Sequence, residues 1–164
     1  MIPSHIYLWG NKKNFTLSSA SQGGYVLSET TITLCYREQH RPTSVEQLKR
    51  MIRRLYLQEC YLYAQKRIPY WTTVLGVELK KVSIRRLKSL WGSCSPHNKT
   101  IRLNLCLAIY PHQFADYVIL HECLHLIEPN HGPMFKSLLS KYMPHWKSIH
   151  QIPRQKLYQE VFYV

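Results

Sequence analysis

Acidic residues are scarce in this chain of 164: 9 Asp and Glu face 22 Lys and Arg, a formal charge of +13. A balance so basic draws a protein toward polyanions but specifies none of them. Long apolar runs are missing as well. No stretch approaches the roughly 20 residues needed to span a bilayer, so no membrane span is expected. The start, Met1-Ile2-Pro3-Ser4-His5, lacks the basic opening and apolar stretch of a signal peptide, and the expected location is the cytoplasm. The five cysteines never form C-x-x-C. A disulfide framework and a zinc ribbon are both excluded on that spacing, and reduced thiols in a reducing compartment fit best. A G-x-x-x-x-G-K-[ST] phosphate loop, internal repeats and low-complexity tracts are absent too.

What is present suffices for one folded domain. Apolar residues make up 45% and aromatics 12%, which excludes wholesale disorder. A chain of this length hides roughly 70% of its unfolded surface and needs no disulfides.

Residues 1–24 carry no clear period and end in the small-residue run 18–24, so they are expected to form an N-terminal arm ahead of a single domain over 25–164. The Val-, Ile- and Thr-rich run from Tyr25 to Tyr36 predicts strand. A helix is expected to start at Thr43 or Ser44, where Glu46 or Gln47 completes a capping box, and to reach its limit at Pro69. Lys49, Arg50, Arg53 and Arg54 share the polar side of that helix, either as a solvated face or as a polyanion contact. Residues 79–105 read as strands and turns. A second helix is expected from Pro111 to about Ile127, stopped by Pro129, with Pro133 and Pro144 opening two short ones. The order defines an α+β domain.

Chemistry concentrates in His121-Glu122-Cys123-Leu124-His125, an H-E-x-x-H. Residues four apart share a helical face, so both imidazoles point at one ion, while Glu122 is displaced toward a water on that ion. Shuffled chains of this composition contain the pattern in about 2% of cases, so context decides. The flanking residues are nearly all apolar, and burying two imidazoles and a carboxyl unpartnered would cost several kcal/mol. A metal removes the difficulty. Zinc suits nitrogen donors, with three protein ligands and a fourth position for water. His131 supplies the third at the H-E-x-x-H-x5-H spacing that metzincins use, with Pro129 stopping the helix and Asn130 tolerating left-handed backbone in place of the usual Gly. Glu128 and Glu160 are rival third ligands. Glu128 suits an outer position better, and Ile152-Pro153 interrupts the path to Glu160. His97, His112, His145 and His150 have no ligand spacing, although Tyr142 and His145 are candidates to polarise a substrate oxygen.

The segment from His121 to Phe135 resembles the signature of the YgjP-like zinc metallopeptidases, relatives of the WLM and SprT-like proteases. That family also carries a block similar to Lys88-Ser89-Leu90-Trp91-Gly92-Ser93-Cys94-Ser95, followed by a strand ending like Leu103-Asn104. The resemblance covers about residues 43–150. It implies a zincin-like fold, with a small antiparallel or mixed sheet packed on an active-site helix. It also implies His121, His125 and His131 as ligands to one Zn2+ and Glu122 as base. Leu90 stands where the family usually has Arg, so no role of that arginine carries over. Trp91, Gly92 and Cys94 read either as core filler, bulge and small buried group, or as a strand that pairs with extended substrate. The leading expectation is peptide hydrolysis on peptide or protein substrates. Two alternatives stay open: a metal-dependent hydrolase of nucleotides or other phosphate-bearing ligands, and a basic nucleic-acid-binding module.

Overall fold

A computed structural model describes residues 5–154. Two small mixed sheets flank a pair of packed helices. The first sheet holds β1 (His5–Leu8), β2 (Asn11–Ser19), β3 (Gly24–Leu27) and β4 (Thr31–Tyr36) in the order β1-β2-β4-β3. β2 runs parallel to β4, and the other pairs are antiparallel. The second holds β5 (Lys81–Arg85), β6 (Gly92–Ser95) and β7 (Thr100–Asn104) in the order β5-β7-β6. β5 is parallel to β7, and β6 is antiparallel to it. The helices are α1 (Val45–Leu75), α2 (His112–Leu124), α3 (Pro133–Tyr142) and α4 (Trp146–His150).

The arm expected over residues 1–24 has a different local structure. Residues 5–19 are two strands, and Ile6, Tyr7 and Leu8 are buried in the core. The Tyr56 hydroxyl of α1 donates to the Tyr7 carbonyl at 2.9 Å. Backbone amides of Trp9 and Gly10 donate to Ala108 and Ile109 at 2.7 and 3.0 Å. Gly10, at φ +82°, presses against Pro111, where a Cβ would lie 2.7 Å from the proline ring. The Trp9 indole N–H reaches Glu59 at 3.0 Å. These attachments are non-local and leave no period within the segment.

Ser44 rather than Thr43 caps α1: its hydroxyl accepts from the Gln47 amide while the Gln47 side chain accepts from the Ser44 amide, a complete capping box. The helix passes through Pro69 to Leu75 instead of stopping there. An internal proline costs about 3 kcal/mol, yet Pro69 and Gln65, whose carbonyl loses its partner, both face solvent. Burial of Ile68 and Trp71 on either side outweighs that cost. Asp116 of α2 adds to it, accepting two hydrogen bonds from Arg67 at 2.6 and 2.8 Å and one from the Trp71 indole at 2.9 Å. α2 is buried along most of its length, against α1 on one side and β6 on the other. No helix among the described residues is long and apolar enough to cross a membrane.

Candidate metal centre

α2 ends at Leu124, three residues earlier than the expected Ile127, and His125 is its C-cap. The chain then tightens: the amides of Leu126 and Ile127 donate to carbonyls three residues back, at 3.1 and 2.9 Å. Pro129 disfavours helix at the residue before it. Left-handed backbone at Asn130 is not used, since the positive-φ non-glycine residues described are Trp9 and Lys99. Instead, the Glu128 carboxylate accepts from the Asn130 amide at 3.0 Å and shapes the return. Gly132 and Pro133 then start α3.

This path brings His131 back over α2. One ring nitrogen from each of His121, His125 and His131 lies within 4.8 Å of the other two. Nε2 of His121 sits 3.3 Å from that of His125 and 2.9 Å from that of His131. Three ligands about 2.05 Å from a tetrahedral zinc would be about 3.3 Å apart. Three imidazole nitrogens aimed at one point cannot satisfy each other through hydrogen bonds, because each shared proton serves one pair. The donor set therefore fits a small divalent cation. His125 is held for that task, its Nδ1 3.1 Å from the Glu128 carbonyl, which accepts the Nδ1 proton and leaves Nε2 bare. Glu128 thus meets His125 through its backbone carbonyl, while its carboxylate accepts from the Asn130 amide. Burial, followed by the neighbouring imidazoles, pushes His121 down to about 3, so its ring stays neutral near pH 7.

Phe135 of α3 is the floor of the cluster. Its ring centroid lies 4.9, 4.8 and 4.8 Å from those of His121, His125 and His131, and the side chain is 2% exposed. Tyr117, one helical turn before His121, sets its ring 5.9 Å from that imidazole and shares a 3.1 Å hydrogen bond with Nδ1 of His150. Ligand spacing alone gives His150 no place, yet α4 brings it to Tyr117 beside the cluster. Tyr142 packs edge-on against Trp71, while His145 is exposed at the start of α4. His112 is stacked on Trp9 at 4.2 Å. Glu160 lies outside the described residues.

Glu122 is 6% exposed, and burial pushes its carboxyl up to about 7. β6 crosses directly above it. A Cβ on Gly92 would lie 2.8 Å from both Cγ and Oε1 of Glu122, so this glycine is a close approach rather than a bulge. The position of β6 is set by Asn104, whose buried amide donates to the carbonyls of Leu87 and Leu90 at 2.9 and 2.8 Å. Its backbone N–H donates to Trp91 at 2.9 Å. Trp91 packs edge-on against Tyr110 and Phe114, and Leu90 points to solvent. Gly92→Ala is expected to keep metal stoichiometry yet lower kcat/KM about tenfold to a hundredfold, because a displacement near 1 Å in a reacting group has that scale of effect. Elemental analysis beside peptide-cleavage kinetics checks it, and unchanged kinetics would mean the contact is slack.

A buried helix offering two imidazoles, a third swung back onto them and a carboxyl beside the first describes a metal-dependent hydrolase. The YgjP-like metallopeptidase domain matches residues 3–156. The chain belongs to that family, and its activity is metal-dependent hydrolysis of peptide bonds. Two archaeal metallopeptidase zymogens are similar in structure. Abylysin of Pyrococcus abyssi is 23% identical with a TM-score of 0.52, over 60% of this chain and 99% of that one. Jannalysin of Methanocaldococcus jannaschii is 27% identical with a TM-score of 0.51, over 57% and 88%. The first of these bears on the fold alone, which is zincin-like. A search of curated proteins returned no match. Peptides or proteins are the substrates this family implies, and neither the phosphate-bearing alternative nor the non-enzymatic binding module is favoured as the principal function.

Proposed function

We propose that the chain is a single-zinc peptidase in which His121, His125 and His131 hold the metal and Glu122 is the general base. The observation that carries this reading is the convergence of one ring nitrogen from each of three histidines, all within 4.8 Å of one another, beside a buried carboxyl. The all-imidazole donor set supports zinc over harder cations, which prefer oxygen. Bound there, zinc would supply Lewis acidity and ease the deprotonation of a water. Glu122 takes the proton of the attacking water on its carboxylate and hands it to the departing amine nitrogen. A carboxyl raised toward 7 suits that shuttle near neutral pH. β6 is an edge strand of its sheet, which supports an extended substrate pairing along it with the scissile bond over Glu122. The five cysteines are free thiols, which supports a reducing compartment such as the cytoplasm.

Metal content of purified protein, wild type beside His131→Ala, tests the assignment. About one zinc per wild-type chain, lost or much weakened in the variant, is the expected result. A wild type that takes up no zinc when it is offered would overturn it.

A further inference from the structure

A second concave site, sharing no residue with the histidine cluster, opens between the first half of α1 and the β3–β4 hairpin with its following segment. It is a cleft of about 930 Å³, at the upper end of ordinary ligand pockets. Four guanidinium groups line it: Arg50 and Arg54, one turn apart on α1, and Arg37 and Arg41 from the segment after β4. No Asp or Glu lines it among the described residues. Among the described residues the Arg41 side chain has one ion-pair partner, Glu38, at 3.9 Å with both side chains about two-thirds exposed, and Arg37 donates to the Ser21 carbonyl at 3.1 Å. Arg50 and Arg54 have no ion pair among the described residues, whereas Arg53, on another side of α1, pairs with Glu46 at 3.1 Å. Lys49, Arg50, Arg53 and Arg54 therefore differ in what they meet, although they share one arc of α1. Arg50 and Arg54 line the concavity while staying exposed, so their charges face whatever enters it.

We propose that this cleft binds a single strand of nucleic acid. Arginine forks take phosphate oxygens two at a time, a geometry that lysine cannot reproduce, and Arg50 and Arg54 offer two such forks with no ion pair among the described residues. Tyr25 and Tyr36 line the same cleft, and Gln39 and Gln58 bring amides to it. Aromatic rings and guanidinium planes stack bases, and amides read base edges. An acidic peptide would use the charges but leave those flat faces and amides without partners. A concave cleft accepts a strand whose bases are splayed, while a duplex hides its base faces.

The test is fluorescence anisotropy of a labelled single-stranded oligonucleotide of about 12 nucleotides, titrated with the full chain across a salt series. Arg50→Ala/Arg54→Ala is expected to weaken binding about tenfold or more and to flatten the slope of log K against log salt by about 1.4, two phosphate contacts at about 0.7 each. Arg85→Ala/Arg102→Ala, on the second sheet, should stay within about twofold of wild type. Stripping metal with a chelator should change nothing, which separates this cleft from the histidine site. Equal loss in both double variants would overturn the proposal in favour of unspecific surface charge. Equal competition by poly-glutamate would overturn it in favour of acidic-peptide docking, and no binding at physiological salt would overturn it outright.

Discussion

Glu122→Gln is expected to lower peptide cleavage by about 10²- to 10⁴-fold while the metal stays bound, the range that a general base contributes. Glutamine keeps the shape of the side chain and loses its capacity to accept a proton. A quenched fluorescent peptide library, followed by kinetics on the best substrate, reads the loss, and elemental analysis reads the metal. The same substitution carries a second, opposite signature. Glu122 is buried with its carboxyl raised from the ordinary 4.5 to about 7, so the folded metal-free protein favours the protonated acid. As pH rises from 4.5 through 7, the unfolded chain releases that proton more readily than the folded one, and stability is lost. Glutamine has no proton to lose. Metal-free Glu122→Gln should therefore match wild type near pH 4 and exceed it at pH 8 by about 3 kcal/mol, the equivalent of that displacement. Denaturant unfolding at the two pH values measures it. A variant that is inactive, yet no more stable at pH 8, would mean the carboxyl is solvated and its burial overstated. Inactivity paired with added stability is the mark of a charge kept in an apolar place for its chemistry.

Parts of this arrangement are legible in the sequence because they are local. The i, i+4 relation of His121 and His125 needs only a helix, and the apolar flanks predict that helix is buried. The return of His131 is legible as spacing, but its means is not: the expected left-handed Asn130 gives way to a carboxylate–amide bond from Glu128. Contacts between distant segments leave no periodic trace. β2 finds its parallel partner β4 across the β3 hairpin, while β1 is bound to α1 through Tyr7, and Trp9 and Gly10 just after it are bound to the segment 105–109. Pro69 reads as a stop because propensity acts residue by residue, whereas Ile68 and Trp71 are buried together. Gly92 reads as a bulge because nothing along the strand announces that a carboxylate from another element lies beneath it.

Phe135 is the residue whose weight the sequence conceals most. It stands at the end of the H-G-P-M-F run with nothing to distinguish it from ordinary core, yet its ring touches all three imidazoles. Phe135→Ala is expected to reduce unfolding stability by about 3–5 kcal/mol, the usual cost of emptying a buried phenylalanine. Against a total of about 5–15 kcal/mol, that loss lowers the Tm by roughly 10 °C and risks unfolding the domain. Stability alone would not separate core filler from support for the metal ligands. Phe135→Leu does so, since it keeps an apolar group in the site and costs only about 1–2 kcal/mol. A leucine leaves the imidazoles without the flat surface that fixes their tilt, so zinc affinity in a competition titration should fall about 10- to 100-fold, as it does when groups that orient metal ligands are removed. Wild-type affinity in a folded Phe135→Leu protein would reduce Phe135 to packing. A drop would make α3 part of the centre, which explains why the chain turns back at Gly132 and Pro133 to begin a helix there: the turn delivers His131 and, one helical turn later, the surface against which all three histidines are set.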